Sequence, residues 1–496
     1  MDNKNAIIIG SGVGGMATAI RLAVAGWSVT VFEKNDLPGG KLSAFKLNGY
    51  SFDSGPSLFT QPQNIKDLFT LANEPIDDYF TYQQVSVACK YFYENGKIVE
   101  AFSDPILFAQ ELKTQLNEQP ENITSYLKRS ENTYNSIGQI FLNNSLHKSK
   151  TWLSRTAFFA IKTLRYGFIF NSLNTHNRKK LSSPEAVQLF DRFATYNGSN
   201  PYQAPAMLSL IPHLEQNEGT YFPNGGMISI TNALYKLAIK KGVIFNFNTP
   251  VERIIHNEGK VAGIVANKLT IHANVVVSNA DIYFTYKNLL NDIPYSKKIL
   301  KQERSSSAII FYWGIKKNFP ALQLHNILFS KDYKTEFDNI FNKKSLSNDP
   351  TIYINITSKI EKNQSPAGTE NWFVMVNAPA NTGQNWEQLK NTLRSDVIKK
   401  LNRMLGEDVE SLIETEHTLD PVSIENKTAS YMGSLYGTSS NSKFAAFFRP
   451  ANFTNAIKGL YFCGGSVHPG GGIPLCLKSA KIVSDIIAND FKKTSY

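Results

Sequence analysis

The sequence contains only three cysteines among its 496 residues, and Cys89, Cys463 and Cys476 are not spaced like the ligands of a metal site. We therefore expect neither a disulfide scaffold nor a zinc site. The longest apolar runs are well short of the ~20 residues that a membrane-spanning helix requires. The sequence also has no Ser/His/Asp or Cys/His set typical of nucleophilic catalysis, no nucleic-acid-binding motif and no internal repeat.

Little sequence precedes the first apolar segment, so we expect no signal peptide. The length predicts two or three structural units. The net charge is +11, which without a nucleic-acid motif indicates contact with anionic lipid or simply solubility. We expect a cytoplasmic protein, peripherally associated with the inner membrane, that binds no nucleic acid.

The N-terminal residues contain a glycine motif in a favourable setting. An apolar strand expected at residues 6–9 runs into GxGxxG at Gly10, Gly12 and Gly15, and a helix is expected over residues 14–25. In dinucleotide-binding units the first glycine permits a tight turn and the second lets the backbone approach a pyrophosphate. The third lets the helix pack close to the strand. This order predicts a Rossmann-type unit.

A second expected strand, residues 28–32, ends at Glu33. A carboxylate at this place accepts hydrogen bonds from both ribose hydroxyls of a dinucleotide. A glycine-rich turn without a ligand is the weaker interpretation, because strand, glycines, helix, strand and acid all occur in one short unit.

The segment that follows Glu33 distinguishes FAD from NAD. Residues 33–41, EKNDLPGGK, continue to FDSGPS at residues 52–57, and NAD dehydrogenases do not need such a segment. It resembles the second cofactor motif of glutathione-reductase-like flavoproteins, especially the amine oxidase and carotenoid desaturase superfamily. There the Gly-Gly pair and the next basic residue pack against ribose and phosphates. Lys41 stands where Arg is usual, which keeps the charge but loses the bidentate fork.

The C-terminal residues 459–474, GLYFCGGSVHPGGGIP, predict a buried strand, a glycine-dense loop and a helix start. Backbone amides in such a loop can meet a flavin and a pyrophosphate. The string HPGGGIP closely resembles the C-terminal flavin motif of the bacterial carotenoid desaturase family, and residues 221–227, 276–281 and 447–450 also resemble strings of that family. The resemblance runs nearly end to end.

This resemblance implies an α/β fold, with a glutathione-reductase-like FAD-binding Rossmann domain, a mixed-sheet substrate domain and a helical membrane-associated insertion. It implies FAD as the cofactor, and the backbone at Val251 is expected to contact the adenine. The predicted cofactor-binding residues are Gly10, Gly12, Val13, Gly14, Gly15, Glu33, Lys34, Gly40, Lys41, Gly55, Pro56, Ser57, Leu58, Val251, Asn279, Ala280, Gly464, Gly465, Gly472, Ile473 and Pro474.

The FAD-binding domain must be discontinuous, because its closing strand and helix are expected at about 459–488. We assign it residues 1–104, 216–290 and 446–496, with a helical substrate and membrane-associated region at 105–215 and a substrate-binding domain at 291–445. A hairpin is expected at 249–254 and 260–265 and a buried strand at 275–280. Alternating apolar runs within 300–445 predict a second, mixed sheet that forms the substrate floor.

One segment stands out because it lacks acids. No Asp or Glu lies between Glu131 and Glu185, while basic and aromatic residues alternate through residues 148–170. On a helical projection one face carries Leu153, Ala157, Ala160, Leu164 and Phe168, and the opposite face carries Lys148, Arg155 and Lys162. Such a helix lies in a membrane interface or packs on the protein core, and a membrane-dissolved substrate favours the interface.

The chemistry implied by the resemblance is the desaturation of a polyene, in which a hydride passes to the flavin. A hydrocarbon is held by apolar burial, at about 25 cal/mol per Å². The protein then has to position the substrate and exclude water. His468 lies within the flavin motif, where we interpret it as a structural hydrogen-bonding group and not as a base.

Residues 189–205 resemble the version of this stretch in hydroxycarotenoid 3,4-desaturases, with an Arg-x-Ala-x-Tyr-x-Gly-x-x-Pro pattern that begins at Arg192. Arg192 either orients a substrate hydroxyl or forms a surface ion pair with Asp191. We expect 1-hydroxycarotenoid 3,4-desaturation with oxygen or a quinone as the terminal acceptor. The alternatives are a phytoene or other acyclic carotene desaturase, a carotenoid isomerase, and a non-redox escort protein for prenylated lipids.

Overall fold

A parallel sheet joins the N-terminal and C-terminal parts of the chain in the computed structural model, which describes residues 4–154, 168, 170–290, 301–442 and 449–492. Its five strands pair in the order Leu460–Phe462, Val275–Ser278, Asn5–Ile9, Ser28–Phe32 and Ile244–Asn246. The predicted Rossmann-type unit is thereby confirmed, with the closing strand contributed from the far end of the sequence. The buried strands are nearly all apolar, as strands covered on both faces should be.

Three helices cover this sheet and share one apolar core: Val13–Val24, Ile228–Lys240 and Ile473–Lys492. The first begins within the glycine motif, at Val13, and ends before Gly26, which has a φ of 82°. Its buried residues include Ala19 and Leu22, as the helical period predicts. A helix N-terminus is therefore fixed at the carboxyl end of the central strand, where α/β sheets bind their ligands.

The expected hairpin beside the parallel sheet is present as a three-stranded antiparallel sheet. Val251–Asn257 pairs with Lys260–Ala266, and Leu269–His272 adds the third strand. Val251, the predicted adenine contact, is the first residue of this sheet.

The expected second sheet is mixed and has seven strands. They pair in the order Ile413–Leu419, Ser307–Ile315, Glu370–Ala378, Ile352–Ile356, His325–Leu328, Val87–Phe92 and Ile98–Phe102. Alternate residues of strand Ser307–Ile315 face opposite ways. Trp313 packs in the core that includes helix Trp386–Leu405, while Ile310 and Tyr312 face the cavity described below. Two of the strands come from residues 87–102, before the helical region.

Between residues 105 and 191 the described structure is mostly helical, with helices at Pro105–Leu116, Pro120–Thr133, Gln139–Asn143, Ser149–Trp152, Leu173–Arg178 and Pro184–Asp191. Local capping explains two starts: Asp104 accepts hydrogen bonds from Ile106 N and Leu107 N, and Ser183 accepts one from Ala186 N. Most of the predicted interfacial segment, residues 155–167 and 169, lies outside the described residues.

Short elements complete the fold. Further α-helices among the described residues are Gln63–Leu71, Ile282–Phe284, Tyr333–Asp338, Val409–Leu412 and Pro421–Thr428. Two small antiparallel sheets pair Ala44–Leu47 with Tyr50–Asp53 and Tyr82–Gln84 with Tyr221–Pro223. Within the described ranges, no helix has both the length and the apolar character needed to cross a membrane.

Candidate active site

A cavity of about 1110 Å³ extends from the carboxyl ends of the parallel strands to the seven-stranded sheet. Pockets for drug-sized ligands usually measure ~300–1,000 Å³, so this cavity has room for a large ligand. Every predicted cofactor-binding residue except Gly15 lines it, and so does Arg192. A Cβ atom on Gly15 would lie 2.2 Å from the Gly10 carbonyl oxygen, so Gly15 serves the close packing of helix on strand.

The glycines at one end of the cavity bring two distant segments together. A Cβ atom on Gly14 would lie 3.1 Å from the Cα atom of Gly464 and 2.8 Å from Oδ1 of Asn279. The backbone at the N-terminus of helix Val13–Val24 thus closely approaches the C-terminal glycine loop, with the Asn279 side chain beside both. Free amide groups at a helix N-terminus attract anions, so this cradle fits a pyrophosphate.

Glu33 is buried on the wall of the cavity and is held from two sides. Its Oε2 atom accepts hydrogen bonds from Ser11 N at 2.8 Å and Ser11 Oγ at 2.9 Å. Its Oε1 atom accepts them from Asn35 N at 3.0 Å and Asn35 Nδ2 at 2.9 Å. The sequence analysis did not single out Ser11 and Asn35, although both lie within the quoted motifs.

Lys41, the last residue of the second cofactor motif, is partly buried at the cavity. Its Nζ atom donates hydrogen bonds to the carbonyl oxygens of Ser434 at 3.2 Å and Leu435 at 2.9 Å. Burial lowers the pKa of Lys41, while the negative charge of Asp281 raises it. Lys41 therefore ties the cofactor segment to the loop that precedes the C-terminal motif.

Arg449 is a second cation that contacts this loop, and it is buried. Its Nη1 atom donates to the Tyr436 carbonyl oxygen at 2.7 Å, and burial lowers the pKa of Arg449 to about 10. Its Nη2 atom is buried without a hydrogen-bond partner in the described part of the chain. Arg449 belongs to the FFRP string of the resemblance, but nothing in that string indicated a position beside the cavity.

A buried charged cluster forms another part of the wall. Arg192 Nη2 lies 3.1 Å from Glu215 Oε1, Arg192 Nη1 donates to the Tyr196 hydroxyl at 3.0 Å, and that hydroxyl donates to Glu215 Oε2. The surface-pair interpretation of Arg192 and Asp191 is wrong. Arg192 is 6% exposed and pairs with Glu215, while Asp191 accepts hydrogen bonds from Asn174 and Asn177.

Next to this cluster, three strand and loop residues form a hydrogen-bonded chain. The Ser57 Oγ atom lies 2.7 Å from the Tyr353 hydroxyl, which lies 2.8 Å from Nδ1 of His325. All three residues line the cavity. Sequence analysis identified Ser57 but missed Tyr353 and His325, because nothing in the local sequence of either strand marks them.

The rest of the cavity wall is largely apolar. The helical region and the seven-stranded sheet both contribute to it, with side chains that include Met207, Leu208, Ile211, Ile310, Tyr312 and Phe373. His468 also lines the cavity, and its Nε2 atom lies 2.9 Å from the Asn144 carbonyl oxygen. Burial lowers the pKa of His468 to about 4, which agrees with a neutral, structural hydrogen-bonding group.

Comparison with known proteins agrees with this geometry. The family model described as flavin-containing amine oxidoreductase matches residues 13–488. A 1-hydroxycarotenoid 3,4-desaturase of Flavobacterium sp. strain P99-3 is 51% identical over 486 residues, which cover 98% of this chain and 99% of that protein. A 4,4'-diapolycopene oxygenase of Methylomonas sp. is 32% identical over 500 residues, with 99% of both chains covered.

Among solved structures, cyclohexylamine oxidase from Brevibacterium oxydans IH-35A superposes with a TM-score of 0.63 at 15% identity, over 99% of this chain and 100% of that one. At this identity the likeness concerns the fold alone. The glycine cradle, the buried Glu33 and the volume of the cavity fit a dinucleotide cofactor. The chain therefore belongs to the family of flavin-containing amine oxidoreductases, and it is an FAD-dependent oxidoreductase.

Proposed function

We propose that the protein is a carotenoid desaturase that introduces a carbon–carbon double bond near the end of a hydroxylated carotenoid, by 1-hydroxycarotenoid 3,4-desaturation. One observation carries this function. A cavity lined by the flavin motifs continues along an apolar wall that also contains the buried cluster of Arg192, Tyr196 and Glu215. The relative that is 51% identical and bears this activity in its name supports the same assignment.

The cofactor-binding residues predicted from the sequence have defined tasks in this proposal. The N-terminus of helix Val13–Val24 holds the pyrophosphate, Glu33 holds the adenosine ribose, and the backbone at Val251 contacts the adenine. The C-terminal glycine loop would hold the flavin ring, through Gly464, Gly465, Gly472, Ile473 and Pro474, which line the cavity. When bound, FAD would accept the hydride from one carbon of the reacting bond, and the neighbouring carbon would release a proton as the double bond forms.

The apolar wall binds the polyene through the burial of hydrocarbon surface, which stabilises the complex by about 25 cal/mol per Å². Ile310, Tyr312 and Phe373 of the seven-stranded sheet exclude water from the reacting end. Arg192 helps to orient the hydroxylated end of the substrate, because a fixed buried charge beside the apolar wall favours a polar group there.

The proposed substrate implies that the protein works at a membrane surface. A substrate dissolved in a membrane requires a protein that reaches the membrane surface, and the basic and aromatic composition of residues 148–170 supports peripheral attachment to the inner membrane from the cytoplasm. Oxygen or a quinone is the terminal electron acceptor in this proposal.

Substrate choice tests the proposed function. The purified flavoprotein, incubated with a 1-hydroxylated carotenoid, should desaturate its end group, and the same preparation should convert little phytoene. A binding site with polar groups for a hydroxyl disfavours an analogue that lacks the hydroxyl, because the polar groups of the site then remain unpaired. Products are identified by chromatography and mass, with flavin-free protein as the control. Efficient phytoene conversion with no gain from the hydroxyl would contradict the assignment to hydroxylated substrates.

A further inference from the structure

We propose that His325 recognises the substrate's hydroxyl group by donating a hydrogen bond from Nε2–H to the hydroxyl oxygen. This assignment rests on the proposed function, and it makes His325 the residue responsible for the preference for a hydroxylated substrate. His325 opens strand His325–Leu328 of the seven-stranded sheet, is 1% exposed and lines the cavity.

The Nε2 atom of His325 is unusual because it is buried and has no hydrogen-bond partner in the described ranges of the chain. Most buried polar atoms in folded proteins are paired, since leaving one unpaired is unfavourable. A buried, unpaired group on a cavity wall therefore indicates a ligand atom that completes it. The cavity is apolar over much of its wall. The Nε2 atom of His325 is therefore one of few wall atoms that would bind a substrate carrying a hydroxyl group better than one carrying a methyl group at the same place.

The hydrogen bonds of the other ring nitrogen determine which nitrogen carries the proton. Asn355 Nδ2 lies 3.1 Å from His325 Nδ1 and 3.1 Å from the Leu324 carbonyl oxygen. The carbonyl requires a donor, so the nitrogen of this amide faces both groups. His325 Nδ1 therefore accepts hydrogen bonds, from Asn355 and from the Tyr353 hydroxyl at 2.8 Å, and Nε2 carries the proton.

The ring is neutral, because burial and, to a smaller extent, the positive charge of Arg192 lower the pKa of His325 to about 3. A neutral imidazole with the proton on Nε2 and an occupied Nδ1 is a hydrogen-bond donor and has no free lone pair for a proton. His325 thus suits the binding of an oxygen atom, and it does not suit general-base catalysis.

Its place in the cavity fits the position of the reacting bond. Tyr353 bridges His325 to Ser57, within the cofactor motif at residues 55–58. In a 1-hydroxycarotenoid the oxygen is on C1 and the bond to be oxidised is C3–C4, so oxygen and reacting carbons are only a few bonds apart. A residue that binds the C1 oxygen close to the cofactor segment therefore positions the C3–C4 bond near the cofactor site.

The test compares kcat/KM for a 1-hydroxylated carotenoid with kcat/KM for the same skeleton without oxygen. His325→Phe removes the donor and keeps an aromatic ring, and it should lower kcat/KM for the hydroxylated substrate by roughly 10- to 100-fold. The value for the deoxy analogue should change by less than about threefold. His417→Phe is the matched control, because His417 also lines the cavity but is exposed and packs on Tyr312. It should leave the ratio of the two values unchanged.

His325→Gln provides a second variant, since its side-chain amide places a donor near the position of Nε2 and should restore part of the preference. Flavin occupancy reports the folding of each variant. Unchanged discrimination in a flavin-loaded His325→Phe or a complete loss in a flavin-loaded His325→Gln would overturn the assignment of His325. If the wild type itself does not prefer the hydroxylated substrate, the proposed function fails, whatever the variants do.

Discussion

At the scale of single residues, Glu33 is the clearest test of the cofactor site. Its carboxylate is oriented by Ser11 and Asn35, and charge-assisted hydrogen bonds to a ribose are lost when it is removed. We predict that Glu33→Ala weakens FAD binding by about 1.5–3 kcal/mol. Flavin occupancy after dialysis measures the effect, with Glu387→Ala on an exposed helix position as the control. Wild-type occupancy in Glu33→Ala would remove Glu33 from the site.

Arg192 and Glu215 form the most deeply buried ion pair at the cavity, with side chains 8% and 2% exposed. Replacing only Arg192 leaves a buried carboxylate without its partner, so we predict that Arg192→Met destabilises the protein by about 3–5 kcal/mol. Adding Glu215→Leu should recover most of this loss, because two apolar side chains need no partners. Urea unfolding measures both values, and equal destabilisation by the single and double variants would contradict the prediction.

The double variant also makes the role of Arg192 in substrate choice measurable. The effect of Arg192→Ala on substrate preference would be mixed with the loss of stability caused by the unpaired Glu215. In the double variant a narrowed preference for the hydroxylated substrate is attributable to the loss of the Arg192–Glu215 pair and not to an unpaired carboxylate. His325 is tested by its own variants in the wild-type background, because the charge of Arg192 also acts on its ring.

At the scale of elements, the segment at residues 148–170 carries the membrane prediction. Lys148 is a less suitable target for mutation than the helical projection suggests. Its Nζ atom lies 3.9 Å from the centre of the Phe453 ring, so its replacement would also remove a contact within the protein. The better change is Arg155→Glu with Lys162→Glu, two positions outside the described residues.

Each basic residue near an anionic membrane contributes about 1 kcal/mol, so reversing both charges should strongly reduce sedimentation with anionic vesicles at low salt. The variant should retain its flavin. Lys334→Glu with Lys399→Glu, at exposed positions elsewhere, is the matched control for net charge. Unchanged vesicle binding by Arg155→Glu with Lys162→Glu would assign this segment to the protein core.

At the scale of the whole molecule, buried titratable groups make stability depend on pH in opposing ways. Burial lowers the pKa of His325 from 6.5 to about 3, so the stability contributed by its neutral form is complete above pH 6.5 and is lost as the pH falls. Burial raises the pKa of Asp191 to about 7, so the stability contributed by its protonated form is lost as the pH rises from about 4 to about 7.

A single variant separates these contributions. Between pH 6.5 and pH 5 we predict that the wild type loses about 2 kcal/mol more stability than His325→Phe, because only the wild type must bury a ring that prefers to be protonated. Chemical unfolding at both values measures this difference. The same substitution at the exposed His272 should leave the pH dependence of the wild type unchanged. A parallel pH dependence in His325→Phe and the wild type would contradict the prediction.

The sequence alone determined the cofactor and the frame of the fold. Strand Ser28–Phe32 has the bounds predicted for it, and the predicted helix at residues 14–25 is Val13–Val24. These features can be predicted from the sequence because a glycine motif, a strand and an acid within one short unit reflect requirements of the local backbone. The assignment of domains and the individual cofactor contacts remain predictions. The discontinuous parallel sheet was also predicted, since its closing strand and helix were expected at about 459–488 and the strand lies at Leu460–Phe462.

Only the tertiary structure decided which polar groups meet. Arg192 has Asp191 as its neighbour in sequence, yet it pairs with Glu215, and His325 meets Tyr353 because antiparallel strands bring residues far apart in the chain together. Helical and strand periods show which residues face inward, but they do not show which inward residue of another element lies opposite. That choice depends on the order and register of strands, which arise from packing over the whole molecule, so no local pattern in the sequence contains it.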